Sequence, residues 1–117
     1  MNELTHYEKV ERPWGNFERF TQNETTTVKI LTINASEEIS LQTHEHRDEF
    51  GRVLKGSGIV HIGEENSNVH EGDSFFIPRH TAHRVVAGFE ELAYLEIAFG
   101  DFDENDEKRI EDRYGRV

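Results

Sequence analysis

The sequence predicts an all-β fold, a small sandwich or barrel with Greek-key connections. Apolar residues recur with period two in short runs, turn residues punctuate the runs, and no gap between them has room for a crossover helix. Taken in order, the candidate strands begin with Asn16–Thr21 and Thr25–Ile33, the second closed by Asn34-Ala35-Ser36. Ile39–Thr43 and Glu49–Leu54 follow, separated by a charged turn and ended by Lys55-Gly56-Ser57-Gly58. Gly58–Ile62 stops at Gly63-Glu64-Glu65-Asn66, and Ser74–Ile77 starts after Glu71-Gly72-Asp73. Ala82–Val86 ends at Ala87-Gly88, and Leu92–Phe99 completes the set. The tail from Asp101 to Val117 differs in kind: it is charged almost throughout, with Ile110 and Tyr114 spaced to share one helical face and acidic residues preceding basic ones. It predicts a short C-terminal helix docked on the outside of the barrel.

With 117 residues, 34% of them hydrophobic, the chain reads as one domain over 1–117, the barrel at about 12–100 and the tail at about 101–117. It contains no cysteine, so neither a disulfide framework nor a thiolate metal site is possible, and a metal would need nitrogen and oxygen ligands. A net charge of -11 argues against nucleic acid. The N-terminus lacks an apolar signal core and no run approaches a membrane span, so neither secretion nor membrane insertion is expected and a cytoplasmic location is the default.

Within SLQTHEHRDEFGRVLKG, Gln42 and His44 are two apart, so on a strand they project from one face; Glu49 follows five residues after His44 and can return to that face from the next strand. His83 lies beyond the Gly72 to Pro78 turn signal. Ligands from two adjacent strands plus one from a distant strand are how a β-barrel encloses a single ion while leaving a position open for water or substrate. The predicted metal ligands are Gln42, His44, Glu49 and His83. Zinc suits such a set, and manganese, iron, cobalt or nickel would also be accepted.

These residues resemble the cupin superfamily. Gln42, His44, Glu49 and Gly56 follow the spacing of its first motif, with Gln in place of the usual first His; Gly72, Pro78 and His83 follow the second. The second motif departs at His80, where a glycine is usual, and at Ala87, where Asn is frequent. Within the cupins the chain resembles the phosphomannose isomerases, in particular the C-terminal domain of the type II enzymes. Arg12-Pro13-Trp14-Gly15, Val28-Lys29, Ser40-Leu41-Gln42, His46-Arg47, Ile77-Pro78, His83-Arg84, Leu95-Glu96-Ile97 and Asp112-Arg113-Tyr114-Gly115-Arg116 carry that resemblance in order. Type II members usually have a nucleotidyltransferase domain in front, for which this chain is too short, so guanylyl transfer is not implied. Where the family follows the Glu with His-Trp, this sequence has Phe50-Gly51, and an inward Gly51 would leave a wider pocket.

The resemblance implies a double-stranded β-helix, or jelly-roll barrel, that holds one divalent metal, zinc first, and interconverts mannose 6-phosphate and fructose 6-phosphate through a cis-enediolate. Glu96, matching the family's strand glutamate, is the candidate base, with His46 and His80 as competitors. Lys29, Arg47 and Arg84 are the matched cations for the phosphate; Arg84, which also stands with Glu96 as a catalytic candidate, comes first because it follows His83, although strand alternation would turn it from the metal. Trp14 and Tyr114 are expected to anchor the termini. A homodimer is expected from the resemblance alone. Two other classes stay open: a metal- and sugar-binding module without turnover, and a metal-dependent oxygenase or lyase on the same fold.

Overall fold

The computed structural model describes residues 3–116 and contains eleven strands, with no helix among them. A hairpin of β1 (Glu8–Arg12) and β2 (Gly15–Arg19) precedes two antiparallel sheets. One runs β3-β10-β5-β8, from Thr26–Ile33, Leu92–Gly100, Arg47–Lys55 and Ser74–Ile77. The other runs β11-β4-β9-β6-β7, from Lys108–Glu111, Leu41–Thr43, His83–Ala87, Ser57–Ile62 and Glu65–His70. Apart from the β6–β7 hairpin, neighbours within both sheets are distant in sequence, which is the crossing pattern of a double-stranded β-helix.

Alternation explains both the core and the position of the site. Val53 on β5, Tyr94 and Leu92 on β10, Val85 and Ala87 on β9, and Val60 on β6 point into one interior cluster. The same side-chain phase, continued along those strands, carries Glu49, Glu96 and His83 into that interior at its other end. The polar site is therefore the continuation of the hydrophobic core. A second cluster covers the opposite face of the four-stranded sheet, where Phe50 and Ile97 pack under Leu4 of the N-terminal segment, with Tyr7 and Phe20 alongside.

Both matched motif glycines have a backbone reason. Gly56 has φ +83°, and a Cβ there would collide with the Glu91 carbonyl; Gly72 has φ +92° in the turn before β8. His80, in the place usually held by glycine, keeps the same left-handed conformation at φ 68°.

Several expectations need correction. The C-terminal helix is absent: Lys108–Glu111 forms β11 and pairs with β4. Ile110 and Tyr114 give too little apolar surface to hold a charged helix on the barrel, whereas an extended segment satisfies its backbone on the open edge of β4. β1 and β7 carry no period-two signal, because EKVER and ENSNVH each hold a single apolar residue. Trp14 anchors nothing among the described residues; it stands at the hairpin tip, 73% exposed. Tyr114 does tie the tail down, its hydroxyl donating to the Glu37 carboxylate and accepting from the Glu38 N–H. Finally, Gly51 does not widen the cavity. Phe75, its cross-strand partner on β8, lays its ring over the glycine and meets Tyr94 edge-on at 5.4 Å.

Candidate metal centre

Three strands deliver the buried polar groups. Gln42 on β4 faces His83 on β9 directly across the sheet, His44 follows at the end of β4, and Glu49 rises from β5 on the facing sheet. One ligand atom each from His44, Glu49 and His83 lies within 4.8 Å of the others, and all three residues are buried. Glu49 Oε1 is 3.4 Å from both His44 Nε2 and His83 Nε2.

The orientation of the imidazoles is fixed from behind. His44 Nδ1 donates to the Asp106 carbonyl at 2.7 Å, and His83 Nδ1 donates to the Thr81 carbonyl at 2.9 Å. Each Nε2 therefore presents a lone pair to the centre, the arrangement by which outer hydrogen bonds prepare histidines for a cation. His83 Nε2 is buried without a hydrogen-bond partner among the described residues, a state that otherwise carries a desolvation cost. The donor set of two imidazoles and a carboxylate fits a divalent transition metal. Coordination by Gln42 would use Oε1. That oxygen accepts from Ser40 Oγ at 2.5 Å while Nε2 lies 3.4 Å from His44 Nε2, so a ligating Gln42 requires the flipped amide, with Ser40 Oγ then accepting from Nε2.

The electrostatics separate the two buried glutamates. Burial alone would raise the pKa of Glu49, but the adjacent His44 and His83 rings hold it well below the ordinary range. Burial would lower that of His44, and the Glu49 carboxylate raises it instead, so a proton and a divalent cation compete for the same lone pair. Glu96 is pushed up to about 7 by burial and by the nearby Glu49 charge, against the opposing pull of Lys29 and Arg47. It is a buried carboxyl poised to exchange a proton near neutrality.

A cavity of about 240 Å³ opens onto these groups, lined by Glu49, His83 and Glu96 together with Gln42, Tyr94 and Lys29. Lys29 Nζ lies 3.9 Å from Glu96 and 3.7 Å from Glu104. The other two matched cations are elsewhere. Arg47 is buried, donating from Nε to Glu49 at 3.1 Å and from Nη1 to the Asp103 carbonyl at 3.1 Å. Its guanidinium, stacked on Phe102, is occupied in positioning Glu49 and does not line the cavity. Arg84 lies between two inward residues and so faces outward, where Nε donates to the Ile39 carbonyl at 3.1 Å and pairs with Glu38. As phosphate ligand or catalytic group, Arg84 is misplaced. His46 and His80 also stay outside the cavity, His80 paired with Glu45 at 3.2 Å.

Asp106 has no place in either motif yet holds the centre together. Its carbonyl orients His44, and its carboxylate accepts the N–H groups of Glu45 and His46, each at 2.9 Å. Phe102, in the same segment, lies between Lys29 and Arg47. A charged tail read as a helix hid these contacts, and Arg109 on β11 with them.

Comparison with known proteins bears on the family and the fold. The chain is 36% identical over 118 residues to the xanthan biosynthesis protein XanB of Xanthomonas campestris pv. campestris, covering 99% of this chain and 25% of the relative. It is 35% identical over 113 residues to the mannose-1-phosphate guanylyltransferase ManC of Salmonella typhimurium, covering 95% of this chain and 24% of the relative. The chain thus spans about a quarter of the length of these curated relatives. In structure it is similar to a protein with a double-stranded β-helix domain from Klebsiella pneumoniae, at TM-score 0.65 and 18% identity, over 76% of this chain and 79% of that one. Among the described residues no helix is long and apolar enough to cross a membrane. With residues 1–112 matching the family described as mannose-6-phosphate isomerase C-terminal, the chain belongs to that family and carries its cupin fold.

Proposed function

We infer that the protein is a metal-dependent aldose-ketose isomerase acting on mannose 6-phosphate and fructose 6-phosphate. One observation carries the reading: the lone pairs of His44 and His83 converge with Glu49, and Glu49 and His83 line one cavity with the buried carboxyl of Glu96. His44, Glu49 and His83, joined by Gln42 with its amide flipped, would hold one divalent cation, zinc by the character of the donors. Bound there, the cation supplies Lewis-acid polarisation of the substrate's carbonyl and hydroxyl oxygens.

The chain's own residues do the rest. Glu96, as carboxylate, takes the proton from C2 of the aldose, and the C2–H electron pair forms the C1–C2 double bond as the C1 carbonyl pair moves onto O1. The O2 hydroxyl proton passes to O1, the carbonyl forms at C2, and Glu96 returns its proton to C1, giving the ketose. A buried carboxyl lining the cavity suits both halves because it must hold the proton between them. Leu31, Ile77 and Tyr94 wall the apolar side of the cavity, which limits water access to the intermediate.

The test is incubation of the metal-loaded protein with mannose 6-phosphate in deuterated water, followed by NMR, with a chelated control. Fructose 6-phosphate carrying carbon-bound deuterium, formed only with metal, is the expected result. Neither conversion nor exchange with any of the divalent metals named above would overturn the reading.

A further inference from the structure

The cations expected from sequence leave the substrate's phosphate with Lys29 alone, since Arg47 and Arg84 do not line the cavity. We propose that Arg109 on β11, together with Lys29, forms the subsite for the phosphate dianion, with Arg116 of the tail at its outer edge. This rests on the isomerase reading and names the residues that would set its specificity for phosphorylated sugars.

Register is the first argument. Arg109 pairs with Gln42, and Gln42 pairs with His83, so the three stand in one row across β11, β4 and β9 and share a face. An arginine on a short edge strand would ordinarily turn to solvent. This one lines the same cavity as the candidate ligands, with its side chain 35% exposed. Lys29 enters from the opposite sheet, directly across from Glu96, and is 36% exposed. Both lie closer to solvent than His44, Glu49 and His83, so they form the rim above a buried reacting centre.

Charge is the second argument. Glu107 pairs with Arg109 by charge, Oε2 lying 2.8 Å from Nε, yet Nε is buried without a hydrogen-bond partner among the described residues, so the guanidinium keeps donors to offer an anion. Glu104, the other rim carboxylate, is 77% exposed where it pairs with Lys29, and a contact of that kind yields readily to a dianion. Arg116 also lines the cavity while chelated by Asp112. A hexose that places C1 and C2 near Glu96 directs its C6 phosphate outward to this rim.

The experiment titrates the full metal-loaded chain with mannose 6-phosphate, inorganic phosphate and mannose, following ligand NMR signals, for wild type, R109M, K29M and the distant charge control K55M. R109M and K29M should each lose about tenfold or more in affinity for mannose 6-phosphate and inorganic phosphate, the scale of a charge-assisted hydrogen bond, and keep their affinity for mannose. R109K should fall between wild type and R109M, and metal content and melting temperature confirm that each variant is folded. Unchanged phosphate affinity in R109M and K29M, equal losses for mannose, or no phosphate binding by wild type would each overturn the subsite. Phosphate binding lost in R109M while wild type shows no deuterium exchange would support the subsite and overturn the isomerase reading instead.

Discussion

Gly51 and Phe75 behave, on this structure, as two halves of one aromatic position, and exchanging them is a quantitative test. A Cβ at residue 51 would lie 2.8 Å from Phe75 Cε1 and closer still to two other ring carbons, so no side chain fits while Phe75 is present. G51W alone should therefore overpack the interior, costing about 3 kcal/mol. F75A alone removes a half-buried ring that meets Tyr94 edge-on, costing about 2 kcal/mol, below the full range for a buried aromatic. In the double variant the indole takes the space the phenyl ring leaves, so the total should stay near 2 kcal/mol rather than 5, a coupling of about 3 kcal/mol. Urea denaturation of the four chelated proteins measures this cycle directly. Losses that add to within about 0.5 kcal/mol would refute the shared position and return Gly51 to being an ordinary strand glycine.

Other consequences can be checked separately. H83A removes a lone pair that nothing else among the described residues satisfies, and should lower zinc affinity by about 100-fold or more in a chelator competition; retention of full affinity would remove His83 from the ligand set. D106A frees the Glu45 and His46 amides and loosens the carbonyl that orients His44, so metal affinity should drop about 10- to 100-fold with the ligands intact. H80G should unfold at higher urea than H80A by about 1 kcal/mol, because φ 68° penalises any side chain; equal stabilities would contradict the strain. In the chelated protein Glu96 binds its proton more tightly folded than unfolded. Its contribution to stability is complete below the ordinary value of 4.5 and is lost as pH rises to about 7, so E96Q should flatten that interval. An unaltered slope there would mean that Glu96 does not titrate near neutrality.

Which parts of the molecule were legible in the sequence follows from what produces period-two alternation. Ser74–Ile77 and the start of Leu92–Gly100 read correctly because their inward residues are apolar or belong to a spaced motif. Gln42, His44, Glu49 and His83 could be named together since their spacing carries the information; the structure brings His44, Glu49 and His83 to one point and sets Gln42 across from His83. Edge strands carry little such signal. β7 buries only Val69 and β11 buries none of its residues, so their pairing is decided by open backbone edges that no residue pattern announces. Arg84 shows the opposite failure: adjacency to His83 suggested the site, while alternation, the stronger constraint, put it on the other face.

The charged tail illustrates how a site can be completed by residues without apolar patterning. From Phe102 to Arg109 the chain supplies a carbonyl to His44, a carboxylate to two amides, a ring to Lys29 and Arg47, and a guanidinium beside Gln42. None of these contacts buries much apolar surface, so none leaves a hydrophobic period to read. Each is polar and directional, which is how a buried charged centre must be supported if its ligands are to stay unprotonated and aligned. The core strands place the ligands; the tail decides whether their lone pairs point inward. Losing the tail's contacts should therefore weaken the metal centre well before it unfolds the barrel, whose interior cluster draws on β3, β5, β6, β7, β9 and β10 and on no residue after Tyr94.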